Sequence, residues 1–189
     1  MFEPVNQIKT NRLMLRQWQK SDRKPFAQLN ADPAVMKYYP NTLNREQSDA
    51  MFDKLSNIIV RQGWGFWAVE LLDEEQFIGF VGLHKPDYNL PVSPCTEVGW
   101  RLAKEYWGNG YATEAANAAL NFAFTQLDLS EVYSFTSIIN QRSERLMQRL
   151  GLINTHNNFN HPMILNNLRL REHVLYCAYK DQYLSSVAN

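Results

Sequence analysis

Cysteine, net charge and long apolar runs are all scarce in this sequence. Its two cysteines, Cys95 and Cys177, lie far apart and match no metal-ligand spacing, so we expect two small buried hydrophobes rather than a disulfide or a nucleophile. Nineteen basic residues balance nineteen acidic ones, which argues against a general nucleic-acid binder because such proteins carry a basic excess. No stretch approaches about 18 consecutive apolar residues, so we expect neither a spanning helix nor a membrane partner.

Other signals are also absent, and their absence sets the expected organisation of the chain. The start, Met1 to Asn6, has no basic region followed by an apolar run, so we expect no secretion signal and a cytoplasmic location. No repeat, low-complexity segment or linker interrupts the sequence. Of its 189 residues 45% are apolar, which is enough for a core, and we predict a single domain over residues 1–189.

Hydrophobic periodicity predicts an α+β (mixed α/β) chain. The predicted strands cover Arg12–Trp18, Phe66–Leu71, Phe77–Leu83, Thr96–Leu102, Val132–Ile138 and Glu172–Tyr179. Helical spacing predicts helices from Ser21–Asp22 to Asp32, from Asn44 to Arg61, from Thr113 to Leu127 and from Asn140 to Leu150. Ser21–Asp22 is interpreted as a helix cap, and Asn44 with Gln47 as a capping box. We expect an antiparallel hairpin from the second and third strands, and a right-handed crossover between parallel strands from Thr96 to Ile138.

The stretch from Arg101 to Ala115 contains the strongest functional signal. A predicted strand enters it, a predicted helix leaves it, and Gly108 and Gly110 form a tight turn between them. Glycine lets a backbone approach a ligand closely and adopt positive φ. The unpaired N–H groups of a first helical turn then point at the ligand, and the helix dipole favours negative charge there. We therefore predict an anion site, with a diphosphate as the working hypothesis for its ligand.

Two familiar phosphate loops do not match this turn. The dinucleotide fingerprint Gly-x-Gly-x-x-Gly requires glycine where this chain has Thr113, and the Gly-Lys-Ser/Thr of nucleoside triphosphatases is absent. The segment Trp107-Gly-Asn-Gly110-Tyr-Ala112 instead resembles the pyrophosphate loop, Gln/Arg-x-x-Gly-x-Gly/Ala, of the GNAT superfamily of acetyl-CoA-dependent N-acetyltransferases. Gly110 and Ala112 match that pattern, whereas Trp107 replaces Gln or Arg and removes one side-chain donor.

Further segments resemble the Rim branch of that superfamily, which is named for enzymes that acetylate the N-termini of ribosomal proteins. These segments are Thr10–Trp18, Phe77–Gly82, Tyr106–Ala115, Asn140 with Ser143, Phe159–Pro162 and Arg171–Tyr176. The similarity covers roughly Lys9 to Tyr183 and so implies a domain core of about residues 9–183. It implies a mostly antiparallel central sheet of about seven strands with flanking helices and one splayed parallel strand pair.

The resemblance implies acetyl-CoA as co-substrate. It assigns the coenzyme's pyrophosphate to seven consecutive turn residues: Trp107, Gly108, Asn109, Gly110, Tyr111, Ala112 and Thr113. The preceding strand would hydrogen-bond the pantetheine arm through its backbone, while the side chains of Trp100 and Leu102 would pack in the core. Asn140 would hold the pantetheine or its amide, although an N-cap role suits the same residue.

Direct attack of an amine on the thioester requires a neutral amine and an acid for the departing thiolate. Glu97 lies on the face of its strand opposite Val98, Trp100 and Leu102, and would accept the amine proton directly or through a water. An exposed carboxylate or a structural ion pair is the alternative for Glu97. The resemblance places Ser143 near the sulfur, where its hydroxyl would hydrogen-bond or protonate the thiolate, whereas helix capping is its alternative role.

The histidines give no sign of a metal site. The four of them, His84, His156, His161 and His173, include no ligand pair at helical spacing, so we expect no metal. His161 and His173 belong to the Rim-like segments and are candidates to line the acceptor site, with surface or structural roles as the alternative.

The acceptor is left open by the sequence. The Rim resemblance favours a protein N-terminal amine, and the same branch includes enzymes that act on small amines, peptides and antibiotics. A non-catalytic acyl-CoA binding module is the alternative in another class, but such a module need not keep Glu97 and Ser143. A homodimer through the aromatic-rich strands is also left open.

Overall fold

The structure, a computed structural model, describes residues 5–187 and has a mixed α/β fold. Residues 1–4, part of the start for which we predict no secretion signal, and residues 188–189 lie outside the described residues. The strands are β1 (Ile8–Lys9), β2 (Leu13–Arg16), β3 (Phe66–Leu71), β4 (Gln76–His84), β5 (Glu97–Leu102), β6 (Glu131–Ser137), β7 (Ile153–Asn154), β8 (Phe159–Asn160) and β9 (Glu172–Tyr179). The helices are α1 (Arg23–Ala31), α2 (Arg45–Gln62), α3 (Tyr111–Thr125), α4 (Gln141–Arg149), α5 (Leu168–Arg171) and α6 (Lys180–Val187).

The described chain forms two compact units, each built from two segments. The first unit contains residues 5–83 and 99–119, and the second contains residues 84–98 and 120–187. Across residues 5–187, no helix is both long and apolar enough to cross a bilayer.

The strands of the first unit form an antiparallel sheet in the order β1-β2-β3-β4, followed by β5. β3 and β4 form the predicted hairpin, in which Phe66 lies opposite Gly82. β4 approaches β5 closely at Gly79, where an added β-carbon would lie 2.2 Å from the carbonyl oxygen of Arg101. A side chain at Gly79 would therefore push these two strands apart.

The helices of the first unit cover an aromatic core around Trp18. Its ring lies 4.9 Å from that of Phe26 on α1 and 5.3 Å from that of Phe52 on α2, and it also contacts Phe77 and Phe80 of β4. Aromatic pairs at these separations add to the free energy that area burial alone contributes. The N-terminus of α2 has the predicted capping box, in which Asn44 and Gln47 bond reciprocally.

The cap predicted at Ser21–Asp22 forms at a short 3-10 turn, Lys20–Asp22, that precedes α1: the Asp22 carboxylate accepts from the Gln19 amide at 2.8 Å. It makes no capping bond to α1 itself, and it also accepts from both terminal nitrogens of Arg16, at 2.7 and 2.9 Å. Glu70 accepts from Arg16 Nε at 2.7 Å. Because Arg16 is buried, its charge requires these carboxylates as partners.

The second unit contains the one parallel pair that the structure shows in its described residues. Glu97 of β5 lies opposite Tyr133 of β6 in parallel register. β6 pairs antiparallel with β9 along its whole length, and the two-residue strands β7 and β8 also pair with β9. The mostly antiparallel sheet with one parallel pair and flanking helices confirms the predicted fold class.

The structure contains elements that the sequence patterns do not show. β1, β7 and β8 have two residues each, which is too short for any periodicity, so the sheet has nine strands rather than about seven. α3 begins at Tyr111 and not at Thr113. Both cysteines are free; Cys177 is fully buried, as predicted, whereas Cys95 is only half-buried.

Candidate functional site

The glycine turn lies in the first unit, between β5 and α3. Gly108 and Gly110 have φ values of 84° and 81°, in the left-handed region that glycine adopts without strain. Both are exposed. An added β-carbon at Gly108 would meet nothing within 4 Å, so positive φ, rather than crowding by the protein, explains the glycine there.

The start of α3 supplies the donors expected of an anion site. The amide of Glu114 donates to the carbonyl of Gly110 at 3.0 Å. The amides of Tyr111, Ala112 and Thr113 therefore precede the first helical hydrogen bond and have no acceptor within the helix. Because α3 begins earlier than predicted, all three belong to its first turn, where the helix dipole favours an anion.

Trp107 is tied to the strand before the turn. Its indole Nε1 donates to the carbonyl of Leu102 at 2.8 Å, and the residue is half-buried. This bond closes the segment between the end of β5 and the turn. Leu102 itself is buried, as predicted for a core residue, whereas Trp100 is only half-buried.

Arg12 and Glu114 support the turn, and the sequence patterns did not single them out. Glu114 accepts from Thr10 Oγ1 at 2.6 Å, from the backbone amide of Arg12 at 2.9 Å and from Arg12 Nε at 2.7 Å. Burial raises the pKa of Glu114, but the hydrogen bonds from Thr10 and Arg12 outweigh burial and lower it. Both residues belong to Rim-like segments, but no sequence pattern indicated their contact.

In the second unit, Glu97 forms a pair with His84. His84 Nδ1 lies 2.9 Å from Glu97 Oε1, and both side chains are largely buried. An ionised carboxylate only accepts, so the bond to ionised Glu97 requires the imidazole tautomer with hydrogen on Nδ1. With its side chain 13% exposed, Glu97 is not the exposed carboxylate of one alternative, whereas its contact with His84 agrees with the other, a structural ion pair.

Asn140 caps α4, and Ser143 lies in the first turn of that helix. Asn140 Oδ1 accepts from the amide of Ser143 at 3.3 Å, while Asn140 Nδ2 donates to Thr136 Oγ1 at 2.9 Å and to Ser143 Oγ at 3.0 Å. The capping prediction for Asn140 is confirmed. Ser143 is not itself a cap, and because its oxygen accepts from Asn140, its hydroxyl hydrogen points away from that residue.

His161 and His173 meet in an aromatic cluster of the second unit. Their ring centroids lie 4.9 Å apart, and Phe135, Phe159 and Tyr88 contact the His161 ring. Burial and the nearby His173 lower the pKa of His161 to about 4. Burial likewise lowers the pKa of His173. Both imidazoles are therefore neutral at pH 7.

The predicted site residues thus form two groups. The turn residues 107–113, with Trp100 and Leu102, belong to the first unit; Glu97, Asn140 and Ser143 belong to the second. Within residues 5–187, no three His, Cys, Asp or Glu side chains are grouped so as to hold a metal ion.

The family model for the acetyltransferase (GNAT) domain matches residues 12–153. The chain belongs to the GNAT acetyltransferase family and is an acetyl-CoA-dependent acyltransferase. It is 26% identical over 146 residues to the uncharacterized N-acetyltransferase YoaA of Bacillus subtilis, and this alignment covers 76% of this chain and 81% of that protein. It is 31% identical over 160 residues to the FsC-acetyl coenzyme A-N(2)-transacetylase of Aspergillus fumigatus, covering 81% of this chain and 67% of that one.

A solved structure supports the fold. The GNAT-family acetyltransferase of Bacillus anthracis superposes with a TM-score of 0.77 over 93% of this chain and 99% of its own, at 24% identity. Relatives named for particular acceptors differ among themselves. The putative ribosomal N-acetyltransferase YdaF of Bacillus subtilis is 30% identical over 83 residues, 44% of each chain. The spermidine N(1)-acetyltransferase of Escherichia coli is 26% identical over 179 residues, 90% of this chain and 88% of its own.

Proposed function

We propose that this enzyme acetylates the N-terminal α-amine of a protein or peptide. The amine nitrogen attacks the thioester carbon of acetyl-CoA, the carbon–sulfur bond breaks, and the coenzyme leaves as a thiolate. The amine loses one proton and the thiolate gains one, so the step balances without metal or redox chemistry. The glycine turn is the observation that carries the coenzyme assignment.

The diphosphate of acetyl-CoA fits the turn for two reasons. The left-handed Gly108 and Gly110 turn the chain at an exposed position without side chains, which leaves room for a bulky anion. The amides of Tyr111, Ala112 and Thr113 then provide donors at the positive end of α3. Trp107 contributes through its backbone, because its indole is bonded to Leu102.

Within the first unit, the pantetheine arm is assigned to the backbone of the strand that contains Trp100 and Leu102. Within the second unit, Asn140 is the residue to which the family resemblance gives a coenzyme contact. The side chain of Asn140 already makes three hydrogen bonds within the second unit. Its proposed contact with the coenzyme therefore uses the remaining acceptor capacity of its carbonyl oxygen or its backbone.

Glu97 and Ser143 are assigned to proton transfer. Glu97 accepts the amine proton, directly or through a water, and the His84 bond holds its carboxylate in one orientation. Ser143 donates its hydroxyl hydrogen to the thiolate. The demand on this acid is small, because a thiol with a pKa of about 8.5 already gives a tolerable thiolate leaving group.

Two other functions compete with this proposal. A small-amine acceptor is favoured by the length of the similarity to a spermidine acetyltransferase, 90% of this chain. A non-catalytic acyl-CoA binding module is disfavoured by the oriented Glu97, which a binding module does not need.

The proposal is tested by incubating the protein with acetyl-CoA and a cytosolic extract, and identifying acetylated peptides by mass spectrometry. We expect N-terminal acetylation above that of a control without the protein. Thiol release with spermidine but no acetylated N-termini would establish the small-amine function instead. Acetyl-CoA binding by calorimetry with no thiol release from any amine would identify a binding module.

A further inference from the structure

Arg101 of β5 is a buried arginine without a carboxylate partner. It is 8% exposed, and its NH1 donates to Asn30 Oδ1 at 2.6 Å. Its Nε is buried and makes no hydrogen bond. Among the described residues, no Asp or Glu oxygen lies within 4.0 Å of the guanidinium. The positive charge of Arg101 is thus uncompensated.

Arg16 shows how the same unit treats another buried arginine. Arg16 is equally buried, and it pairs with both Asp22 and Glu70. A guanidinium does not lose its proton in a protein, so burying one without an anion is costly. Arg101 bears this cost in a position where residues 5–187 supply no anion.

The surroundings of Arg101 hold its guanidinium in one orientation. Asn30 is fully buried and its Nδ2 donates to Ser48 Oγ at 2.9 Å, which fixes Asn30 Oδ1 toward Arg101. The Tyr39 ring lies 4.1 Å from Arg101 Cζ, and the Phe80 ring lies 5.2 Å from it. These contacts place two aromatic rings against the guanidinium and occupy one of its nitrogens. Its Nε and NH2 donors, the side-by-side pair that binds a carboxylate bidentately, make no hydrogen bond within the described chain.

The position of Tyr39 indicates how a ligand reaches Arg101. Tyr39 is 37% exposed and belongs to the connector between α1 and α2. The half-exposed Tyr39 ring thus lies against the buried guanidinium, and the proposal requires the ligand to approach beside it. The coenzyme's diphosphate is assigned elsewhere in this unit, to the turn that Arg12 and α3 support.

We propose that Arg101 binds a carboxylate of the acceptor, so that the preferred acceptor carries a negative charge besides the amine that is acetylated. This inference rests on the proposed acetyl transfer to an amine. It restricts the acceptor to acidic peptides or amino acids with a second, ionised end. Polyamines are disfavoured, because a positively charged acceptor would be repelled by Arg101.

Matched acceptors that differ only in a carboxylate test the inference. One pair is the dipeptide amides Ala-Glu-NH2 and Ala-Gln-NH2, and another is 4-aminobutyrate and 4-aminobutyramide. We expect the wild type to have a kcat/KM about tenfold or more higher for the carboxylate member of each pair. A charge-assisted bidentate hydrogen bond to Arg101 would supply this difference in binding free energy. Arg101→Met should equalise the pair while acetyl-CoA affinity, measured by calorimetry, stays unchanged.

Two further variants separate binding from folding. Asn30→Asp places a carboxylate 2.6 Å from Arg101 NH1, and the Ser48 hydroxyl can turn to donate to it. We expect this variant to melt at a higher temperature than the wild type and yet to lose the carboxylate preference. Arg61→Met removes an exposed charge from α2 and should keep the preference.

The outcomes distinguish this inference from the proposed function. Equal turnover of both members of each pair by the wild type would overturn the role of Arg101 and leave acetyl transfer standing. A carboxylate preference that survives in Asn30→Asp would also overturn it. Absence of turnover with every amine would overturn both proposals.

Discussion

Arg12 NH1 donates a hydrogen bond of 3.0 Å to the backbone carbonyl of Asn109, the residue between the two left-handed glycines of the turn. The same guanidinium pairs with Glu114, and its Cζ lies 4.5 Å from the ring centroid of Tyr111. Arg12 therefore contacts the centre of the turn and the first turn of α3 together. Since glycines have no side chains of their own to order the turn, we infer that Arg12 orders it.

Arg12→Ala should weaken acetyl-CoA binding without abolishing it. Without Arg12, acetyl-CoA must order the turn when it binds. We expect this ordering cost to raise Kd by about three- to tenfold. Isothermal titration calorimetry gives this value directly. Arg45→Ala, which removes an exposed arginine paired with Asp49 on α2, is the control. An unchanged Kd for Arg12→Ala would show that the turn needs no such support.

Glu97→Gln should lower kcat/KM by about a hundredfold, because the amide cannot accept the amine proton as a general base. It should also change the shape of the pH–rate profile. The amide oxygen of Gln still accepts from His84, so the variant changes charge more than geometry. Glu131→Gln is the matched control, because Glu131 is an exposed carboxylate of β6 that accepts from Tyr133. A Glu97→Gln profile that keeps the wild-type shape and magnitude would refute the base assignment.

Asn140→Ala should destabilise the fold more than Ser143→Ala. Loss of the helix cap predicts a decrease of about 1–2 kcal/mol in the unfolding free energy of Asn140→Ala. Ser143→Ala loses one bond to Asn140 and should cost less in stability, while kcat falls by about tenfold or less. Denaturant unfolding and steady-state kinetics measure the two effects. If Ser143→Ala lost both stability and activity completely, a structural role would explain Ser143 better than acid catalysis.

The His161 cluster should make the protein less stable in mild acid. Burial lowers the pKa of His161 to about 4, whereas an unfolded histidine titrates near about 6.5. As the pH falls from about 6.5 towards 4, the unfolded chain binds a proton that folded His161 does not, so the unfolding free energy decreases over that range. Above a pH of about 6.5 neither state binds this proton, and His161 causes no loss of stability.

His161→Phe should reduce this pH dependence, and residual dependence from His173 should remain. Denaturant unfolding at a series of pH values measures it, with exposed His156→Gln as the control. A His161 ring that titrates near pH 6.5 by nuclear magnetic resonance would contradict the buried, neutral assignment.

Features that depend on local sequence could be predicted. The capping box of Asn44 and Gln47 requires only residues three apart, and it forms as expected. The last long strand, Glu172–Tyr179, has the predicted bounds because its own apolar pattern defines it. The glycine turn is also local, and its two left-handed residues are where the pattern places them.

Features that depend on distant partners could not be predicted. His84 and Glu97 are joined by the fold, as are Arg12 and Glu114, and no spacing rule connects residues so far apart. The sequence indicates a capping role for Asp22, which forms with the Gln19 amide, but it does not show that the same carboxylate also pairs with buried Arg16. The short strands β7 and β8 exist only because β9 provides their hydrogen bonds.

The central claim is that the glycine turn holds the diphosphate of acetyl-CoA, and two glycines allow a matched test. Gly108 and Gly151 have φ values of 84° and 76°, and an added β-carbon at either meets nothing within 4 Å. Alanine at either position should therefore cost a similar amount of backbone strain, about 1 kcal/mol. Gly108 lies in the turn, whereas Gly151 follows α4.

The most direct measurement is calorimetric titration of both alanine variants with acetyl-CoA and with S-acetylpantetheine, which lacks the diphosphate. We expect Gly108→Ala to weaken acetyl-CoA binding by about tenfold or more, since misdirected amides no longer meet the diphosphate. Its affinity for S-acetylpantetheine should stay unchanged, and Gly151→Ala should bind both ligands like the wild type. Equal acetyl-CoA affinities for Gly108→Ala and Gly151→Ala would contradict the assignment of the turn.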